Sequence, residues 1–433
     1  MQLYSTNDIK NIVSLKEAIL KGLPEDKGLF MPCDIPVLPD SFFNELKSMS
    51  FVEIAYAVAQ HLFKGIIPES DLSEIISQAI NFPAPVVELN DQIKVLELFH
   101  GPSLAFKDFG ARFMAQMMSY YNKGVNKELV ILVATSGDTG GAVAAGFYDT
   151  PGIKVVILYP SQKVSLLQEK QLTTLGKNIA AIEVEGTFDD CQALVKTAFL
   201  DPSINTTIRL ASANSINIAR LIPQSFYYFE AYKQLKSTQP VVFSIPSGNF
   251  GNLTAGLFAK RMGLPVHRFI AATNSNDVVP EYLNTGTFKA RPSVRTLSNA
   301  MDVGNPSNFA RMKDLYGSTW NKIKQDILGY SFNDQQTTEA VQAIAKEFNY
   351  TIDPHGAVGY LALKEYLKTN PTHQGVILET AHPSKFIDDM ESILDRKIDI
   401  PERLAVLANK TKTATFMDNS YVKFKNYLLE NYS

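Results

Sequence analysis

The first part of the chain carries apolar residues at helical spacing. The segments FVEIAYAVAQHLF (residues 51–63) and SDLSEIISQAI (residues 70–80) place them three or four positions apart, and proline and glycine interrupt the pattern between them. The following NFPAPVVEL contains Pro83 and Pro85, which favour extended backbone. The pattern therefore predicts an N-terminal helical region, residues 1–85, that ends at this proline pair.

After this region, short β-branched runs alternate with helix-like segments. The runs are ELVILVAT (128–135), IKVVILYP (153–160), IAAIEVEG (179–186), VVFSIP (241–246), HRFIAATN (267–274) and GVILETA (375–381). Continuous apolar runs of this length are typical of strands buried on both faces, and their alternation with helices implies right-handed crossovers. The predicted fold class is α/β, mostly parallel and flanked by helices, with ligands at the carboxyl ends of the strands.

Two segments depart from this alternation. Residues from about 288 to 347 are rich in Arg, Asn, Gly and aromatic residues and show no clear strand, which indicates an insertion or subdomain. Residues 381–433 form a C-terminal segment with a polar link and a short terminal helix. The predicted division is therefore 1–85, a core of 86–380, and 381–433.

Composition narrows the function classes. The 433 residues are 45% hydrophobic and 20% charged, which is ordinary for a globular protein. A net charge of -3 gives no broad attraction for nucleic acid or an anionic membrane. No run approaches the roughly 20 apolar residues that cross a bilayer, and Cys33 and Cys191 suit neither a disulfide framework nor a metal cluster. We expect a soluble cytoplasmic protein without metal, nucleic-acid or membrane partners.

Three predicted strands end in turns rich in glycine or hydroxyl residues: Thr135–Gly141, Ser247–Asn252 and TAHPSKF (380–386). A turn that leads into a helix offers free N–H groups and the positive end of the helix dipole to an anion. A single glycine-rich turn, however, is more often just a tight turn without a ligand, because glycine permits the positive φ angles that such turns need. Three such turns converging on one sheet edge favour a ligand site. Because neither glycine-rich turn has P-loop or G-x-G-x-x-G spacing, we expect a phosphate that is held by amides.

One lysine stands in an unusual setting. In ELFHGPSLAFKDFG (97–110), Lys107 has apolar and aromatic neighbours on both sides. Desolvation lowers the pKa of a lysine and lets it act as a nucleophilic amine. A reactive amine beside a phosphate site suits a small phosphorylated aldehyde cofactor, of which pyridoxal phosphate is the common one.

Several segments carry a family resemblance. ELFHGPSLAFKDFGARFMAQ resembles the lysine signature of the threonine synthase family, within the fold type II pyridoxal-phosphate enzymes. ATSGDTGGAVA, SANSINIARL, SIPSGNFGNLTAGL, ATNSNDVVP, LSNAMDVGNPSN and TAHPSKF are similar to segments of that family in the same order, and Ser103 replaces an expected threonine. The resemblance spans nearly the whole chain, matches least in the last 40 or so residues, and implies a core of two α/β subdomains.

The resemblance also implies residue roles. Lys107 is the Schiff-base residue, Thr380 is the partner of the pyridine nitrogen, and the cofactor phosphate lies in the turn of Gly248, Asn249, Phe250, Gly251 and Asn252. The substrate carboxylate is expected at Ser136, Gly137 and Thr139. Asp138, awkward beside a carboxylate, is expected to point away or to bond to backbone.

The implied reaction converts O-phospho-L-homoserine and water to L-threonine and phosphate, with Lys107 as the base. The substrate phosphate then needs a second anion site. Candidates are Arg112, Asn214 and Asn217, together with Lys163 and Arg220, and arginine would suit a phosphate best because its fork binds bidentately.

Other interpretations stay open at this point. A serine/threonine dehydratase or β-replacement synthase of the same fold, a non-catalytic pyridoxal-phosphate-binding homologue and an ordinary nucleotide-binding protein would each retain some of these features. Asp108 is predicted to cap a helix at 109–121, and His100 and His355 are predicted to be structural hydrogen bonders. The resemblance to long single-chain forms favours a monomer.

Overall fold

The N-terminal region combines a small sheet with helices. The computed structural model describes residues 1–236 and 238–433. Strands β1 (Gln2–Ser5), β2 (Asp8–Ser14) and β3 (Phe30–Pro32) form an antiparallel sheet in the order β2-β1-β3. The helices are α1 (Leu15–Lys21), α2 (Asp40–Glu45), α3 (Phe51–Leu62) and α4 (Glu69–Ala79). The periodicity thus predicted α3 and α4, but it missed the sheet, whose strand β2 is mostly exposed and lacks an apolar run.

A six-stranded sheet forms one half of the core. Its strands are β4 (Val86–Glu88), β5 (Ile93–Glu97), β10 (Val241–Pro246), β11 (Val266–Thr273), β12 (Ile327–Ser331) and β13 (Gln374–Glu379). The order is β12-β11-β10-β13-β5-β4, and all neighbours are parallel except β4 and β5.

A five-stranded parallel sheet forms the other half. Its strands are β6 (Leu129–Ala134), β7 (Ile153–Pro160), β8 (Ile179–Glu185), β9 (Arg209–Ser212) and β14 (Thr415–Asp418), in the order β14-β8-β7-β6-β9. Every apolar run that predicted a strand lies on one, so the α/β prediction is confirmed.

Helices connect the strands and cover both sheets. They are α5 (Lys107–Asn122), α6 (Asp138–Phe147), α7 (Leu166–Thr173), α8 (Phe188–Leu200), α9 (Pro202–Thr207), α10 (Ile218–Leu221), α11 (Phe226–Gln234), α12 (Gly251–Arg261), α13 (Val278–Thr285), α14 (Phe309–Leu315), α15 (Trp320–Asp326), α16 (Asp334–Phe348), α17 (Pro354–Leu367), α18 (Ile387–Leu394), α19 (Glu402–Ala408) and α20 (Tyr421–Tyr432). Short 3-10 turns occupy Leu46–Ser48, Ile222–Ser225, Asn299–Met301 and Pro383–Phe386. None of the helices in the described ranges is long and apolar enough to cross a membrane.

One apolar core joins the two sheets to the N-terminal region. It includes Ile131 of β6, Phe243 of β10 and Val58 of α3, all fully buried. Alternate residues of the same strands, such as Leu132 and Val242, belong to separate outer clusters. Both faces of each central strand are therefore buried, which explains their continuous apolar sequences.

Two predictions about the core were wrong. The segment 288–347 was expected to lack a strand, yet β12 lies within it and pairs with β11 along five residues. Its sequence ILGYS is short and half-exposed at the sheet edge, so it carries no apolar run. The three ligand turns were expected at a single sheet edge, but β6 belongs to a different sheet from β10 and β13.

Candidate active site

Two of the three predicted turns meet although they belong to different sheets, and the third follows β10, which pairs in parallel with β13. The 3-10 turn after β13 carries Lys385, whose ammonium lies 2.8 Å from the carboxylate of Asp138 at the start of α6. The segment before Lys107 joins the same place, because the N–H of Phe106 donates to the carbonyl of Thr380 over 2.9 Å. The carboxyl ends of β5, β6 and β13 therefore surround one site.

Lys107 is the first residue of α5 and faces this site. Burial lowers the pKa of its ammonium; Lys385 and Arg220 lower it further, whereas Asp138 opposes them. The preceding Leu104 has a left-handed backbone, with φ of 58°, which turns the chain sharply into the helix. The setting thus supplies the desolvated amine that the sequence predicted.

Asp108 does not cap α5, contrary to the prediction. The helix begins one residue earlier, and the fully buried carboxylate of Asp108 accepts the N–H of Ser103 over 2.8 Å. Burial raises the pKa of Asp108 to about 6. Asp108 therefore fixes the loop that leads into Lys107.

The turn after β10 is held by close packing and neutral hydrogen bonds. A Cβ added to Gly248 would lie 2.6 Å from the carbonyl oxygen of Ala300, so only glycine fits there. Phe250 takes the left-handed conformation with φ of 59°, and α12 begins immediately after it. The amide of Asn249 donates to the hydroxyl of Ser215 over 2.6 Å, and that of Asn252 donates to the carbonyl of Pro246 over 2.8 Å.

This turn suits a phosphate. An α-helix leaves its first N–H groups without intrahelical acceptors, and α12 presents those of Gly251 and Asn252 beside the turn. Residues 246–252 contain no acidic side chain that would repel an anion. A phosphorylated cofactor therefore fits the residues present.

The turn after β6 is shaped by a hydroxyl and by a charge. The side-chain oxygen of Thr135 accepts the N–H groups of Gly137 and Gly140, over 3.0 and 2.8 Å. Gly137 has φ of 135°, Ser136 is exposed and Thr139 is half-buried, so the two hydroxyl residues differ in access to solvent.

In the described residues the carboxylate of Asp138 is bound by side chains, whereas a bond to backbone was one of the two expectations. Besides Lys385, it accepts a hydrogen bond from the amide of Gln168 over 3.0 Å. Burial would raise the pKa of its carboxyl, but its neighbours, above all the ammonium of Lys385, outweigh burial and hold this pKa below its usual range. The carboxylate is therefore ionised inside the site.

The candidates for the substrate phosphate differ in the hydrogen bonds that their side chains already make and in their exposure. Arg112 donates to the backbone carbonyls of Gln78 and Ala79 at the end of α4. Asn217 caps α10 and donates to the carbonyl of Ile19 over 2.9 Å. Asn214 is half-buried near the Asn249 contact at Ser215, and Lys163 is exposed. These contacts favour structural roles for Arg112 and Asn217.

Arg220 is the candidate that the structure brings to Lys107. Its residue is 2% exposed, its Nη1 donates to the carbonyl of Ala213 over 2.7 Å, and its Nε has no partner. Nε lies 2.9 Å from a Cβ that Gly110 would carry, one turn along α5 from Lys107. Burial lowers the pKa of Arg220 to about 10, so it stays charged. A buried guanidinium with a free N–H is suited to an anionic ligand.

Sequence reasoning missed Lys385. It lies in TAHPSKF, and no local signal distinguishes it from a surface lysine. The two histidines have the structural contacts that were predicted: His100 pairs with Glu97 at 2.7 Å and His355 pairs with Asp353 at 2.9 Å.

Comparison with protein families accounts for nearly the whole chain. Residues 2–80 match the family described as threonine synthase N terminus, residues 81–379 match pyridoxal-phosphate dependent enzyme, and residues 356–428 match threonine synthase, C-terminal. The threonine synthase of Escherichia coli K12 is 47% identical over 411 residues, which cover 94% of this chain and 95% of that protein. The threonine synthase of Haemophilus influenzae is 45% identical over the full length of both chains.

Solved structures agree with these sequence matches. The crystal structure of Escherichia coli threonine synthase superposes with a TM-score of 0.91 at 44% identity, covering 99% of this chain and 100% of that one. A pyridoxal-phosphate-bound threonine synthase from Brucella melitensis superposes with a TM-score of 0.94 at 33% identity, covering 100% and 99%.

Proposed function

The chain belongs to the threonine synthase family of pyridoxal-phosphate-dependent enzymes, and we propose that it converts O-phospho-L-homoserine and water to L-threonine and phosphate. The observation that carries the proposal is the buried Arg220, which offers an unpartnered N–H beside Lys107. The site thus has two places for anions: the turn after β10 for the cofactor, and Arg220 for a phosphorylated substrate.

The cofactor would be held from three directions. Lys107 would bind its aldehyde carbon, the backbone of residues 248–252 its phosphate, and the hydroxyl of Thr380 its ring nitrogen. When bound, it withdraws electrons and so stabilises negative charge on the substrate carbons. A threonine hydroxyl, unlike a carboxylate, does not enforce a protonated ring, which suits elimination and replacement chemistry.

Lys107 is the proposed base for the substrate protons. A neutral amine held close to the reacting carbons accepts a proton and later returns it, and proximity replaces a bimolecular encounter. Burial lowers the pKa of Lys107 and so favours its neutral form. Ser136, Gly137 and Thr139 would hold the substrate carboxylate, and Arg220 would hold its phosphate.

The candidates for the substrate phosphate are ranked by the free hydrogen-bond donors of their side chains. Arg220 is the proposed phosphate ligand, with Asn214 as a neighbour in the same segment. Arg112 and Asn217 are assigned weaker or indirect roles, because their polar groups already bind backbone carbonyls. Replacing a free donor should affect substrate binding, whereas replacing an occupied one should affect folding.

We also propose that the protein acts in the cytoplasm as a monomer, with neither nucleic acid nor membrane as a partner. Its net charge of -3 and its two unpaired cysteines support this setting. We retain the division into 1–85, 86–380 and 381–433 as a proposal. Light scattering at micromolar concentration tests the monomer, and a dimeric mass would contradict it.

A comparison of substrates tests the function. The holoenzyme should turn over O-phospho-L-homoserine with a kcat/KM at least about 100-fold above that for L-serine or L-threonine, since only the phosphorylated substrate can engage Arg220. A dehydratase would instead release ammonia from serine or threonine at the higher rate. Cofactor binding without turnover of any of the three would support a non-catalytic homologue.

A further inference from the structure

Lys385 is buried with three acceptors around its ammonium. Its residue is 2% exposed, and Nζ lies 2.8 Å from the carboxylate of Asp138, 2.7 Å from the carbonyl oxygen of Ser103 and 3.3 Å from the side-chain oxygen of Gln171. Burying an ammonium is costly unless such partners replace its water. Three separate segments therefore converge on this one charge.

These segments are the ones that build the reactive site. Ser103 belongs to the loop before Lys107, Asp138 begins α6 after the glycine-rich turn, and Lys385 follows Thr380 by five residues. The amide of Gln171 also donates to Ser103 over 3.0 Å, so α7 braces the same loop. Lys385 thus links the two sheets at the place where they meet the cofactor.

Asp138 is shared electrostatically by two lysines. Both Lys385 and Lys107 favour its ionised form, and Lys385 has the larger influence. Lys107 in turn faces Asp138, Lys385 and Arg220, while its neighbour Asp108 lies near Lys385, Arg112 and Arg220. If Lys385 were neutral, the charge of Asp138 would act on Lys107 without a competing partner. That would favour the protonated amine, which is neither a nucleophile nor a base.

We propose that Lys385 is a positioning residue that binds Asp138 and thereby leaves Lys107 as a neutral amine. The neutral amine can condense with the cofactor aldehyde, with loss of water, and can accept a proton from the substrate. The proposal rests on the proposed role of Lys107 but not on the identity of the substrate. It also explains why an acidic residue stands in a turn that must accept a carboxylate, since Lys385 neutralises its charge.

The test measures how fast cofactor-free enzyme binds pyridoxal phosphate at different pH values. Appearance of the visible absorbance band reports condensation, and the pH midpoint of its rate reports the neutral fraction of Lys107. Lys385→Met should raise this midpoint by about 1 unit, because it removes a neighbouring cation and leaves Asp138 acting on Lys107 alone. Asp138→Asn should lower it, because the opposing anion is gone.

Further variants separate electrostatics from a purely structural link. Lys385→Arg should keep the wild-type midpoint, and the double variant Lys385→Met/Asp138→Asn should return towards it. Lys94→Met removes another buried lysine, which pairs with Glu88 at 3.0 Å, and should leave the midpoint unchanged.

An unchanged midpoint in Lys385→Met would overturn the proposal, even if the variant melts earlier, since a structural link alone predicts lower stability without a pH shift. Should Lys385→Met fail to fold, Asp138→Asn decides, and an unchanged or raised midpoint there would overturn the proposal. Activity on phosphohomoserine enters none of these readings, so failure of the proposed substrate is a separate result.

Discussion

The two glycine-rich turns look alike in sequence but are stabilised differently. The turn after β10, residues 246–252, has no ionisable side chain and is fixed by packing around Gly248 and by neutral hydrogen bonds of Asn249 and Asn252. The turn after β6 contains Asp138, whose charge is bound by Lys385. A fixed neutral turn suits a constant cofactor phosphate, whereas a charged turn can influence the protonation of the reacting groups.

The largest expected effect comes from removing Lys107, the amine that lies beside the charged turn. Lys107→Ala should lower turnover by about 10⁴-fold, because both the covalent attachment and the base are lost. It should also abolish the visible band that bound pyridoxal phosphate gives in the wild type. An unchanged band would show that another amine binds the cofactor.

The next change tests the neutral turn. Gly248→Ala should weaken cofactor binding by roughly 10- to 100-fold, because its Cβ would lie 2.6 Å from the Ala300 carbonyl and overpacking costs about 1–3 kcal/mol. Gly251→Ala in the same turn is the matched control, since its nearest neighbour would be 3.5 Å away. Equal losses of affinity in a fluorescence titration would contradict packing as the cause.

A third change tests the second anion site. Arg220→Met should lower kcat/KM for phosphohomoserine by about 100-fold through the lost charged hydrogen bond, with little change in cofactor affinity. Arg112→Met is the comparison, because that guanidinium donates to carbonyls of α4. If Arg112→Met raised KM more than Arg220→Met, the assignment of the phosphate site would be reversed.

The smallest expected effect concerns Asn217, a candidate substrate ligand that caps a helix in the structure. Asn217→Ala should cost about 1 kcal/mol of unfolding free energy, since it removes the cap of α10. KM should stay within about twofold, because the amide already binds the carbonyl of Ile19. Denaturant unfolding and steady-state kinetics on the same preparation check both parts, and a raised KM without destabilisation would restore Asn217 as a substrate ligand.

The sequence predicted what depends on local pattern. Strands such as β7 and β10 are buried on both faces, so their apolar runs identify them, whereas β12 and β14 are short edge strands with exposed positions and show no such run. The predictions of a reactive lysine and of a phosphate turn rest on local chemistry and family resemblance.

What could not be predicted depends on contacts between distant segments. The pairing of Asp138 with Lys385 requires two different sheets to meet, which neither local sequence contains. Arg112 and Arg220 are equally plausible phosphate ligands in sequence, but in the structure Arg112 donates to two carbonyls of α4 whereas Arg220 is buried with an unpartnered Nε. Ranking them therefore needed the folded chain.

The proposed reaction is tested most directly by following the oxygen atom of water into the products. With O-phospho-L-homoserine in ¹⁸O-labelled water, elimination breaks the carbon–oxygen bond and water adds at the β-carbon. We therefore expect L-threonine with ¹⁸O in its hydroxyl and released phosphate without ¹⁸O at early times. Mass spectrometry that found ¹⁸O in the phosphate and unlabelled homoserine as the product would show simple hydrolysis and contradict the account.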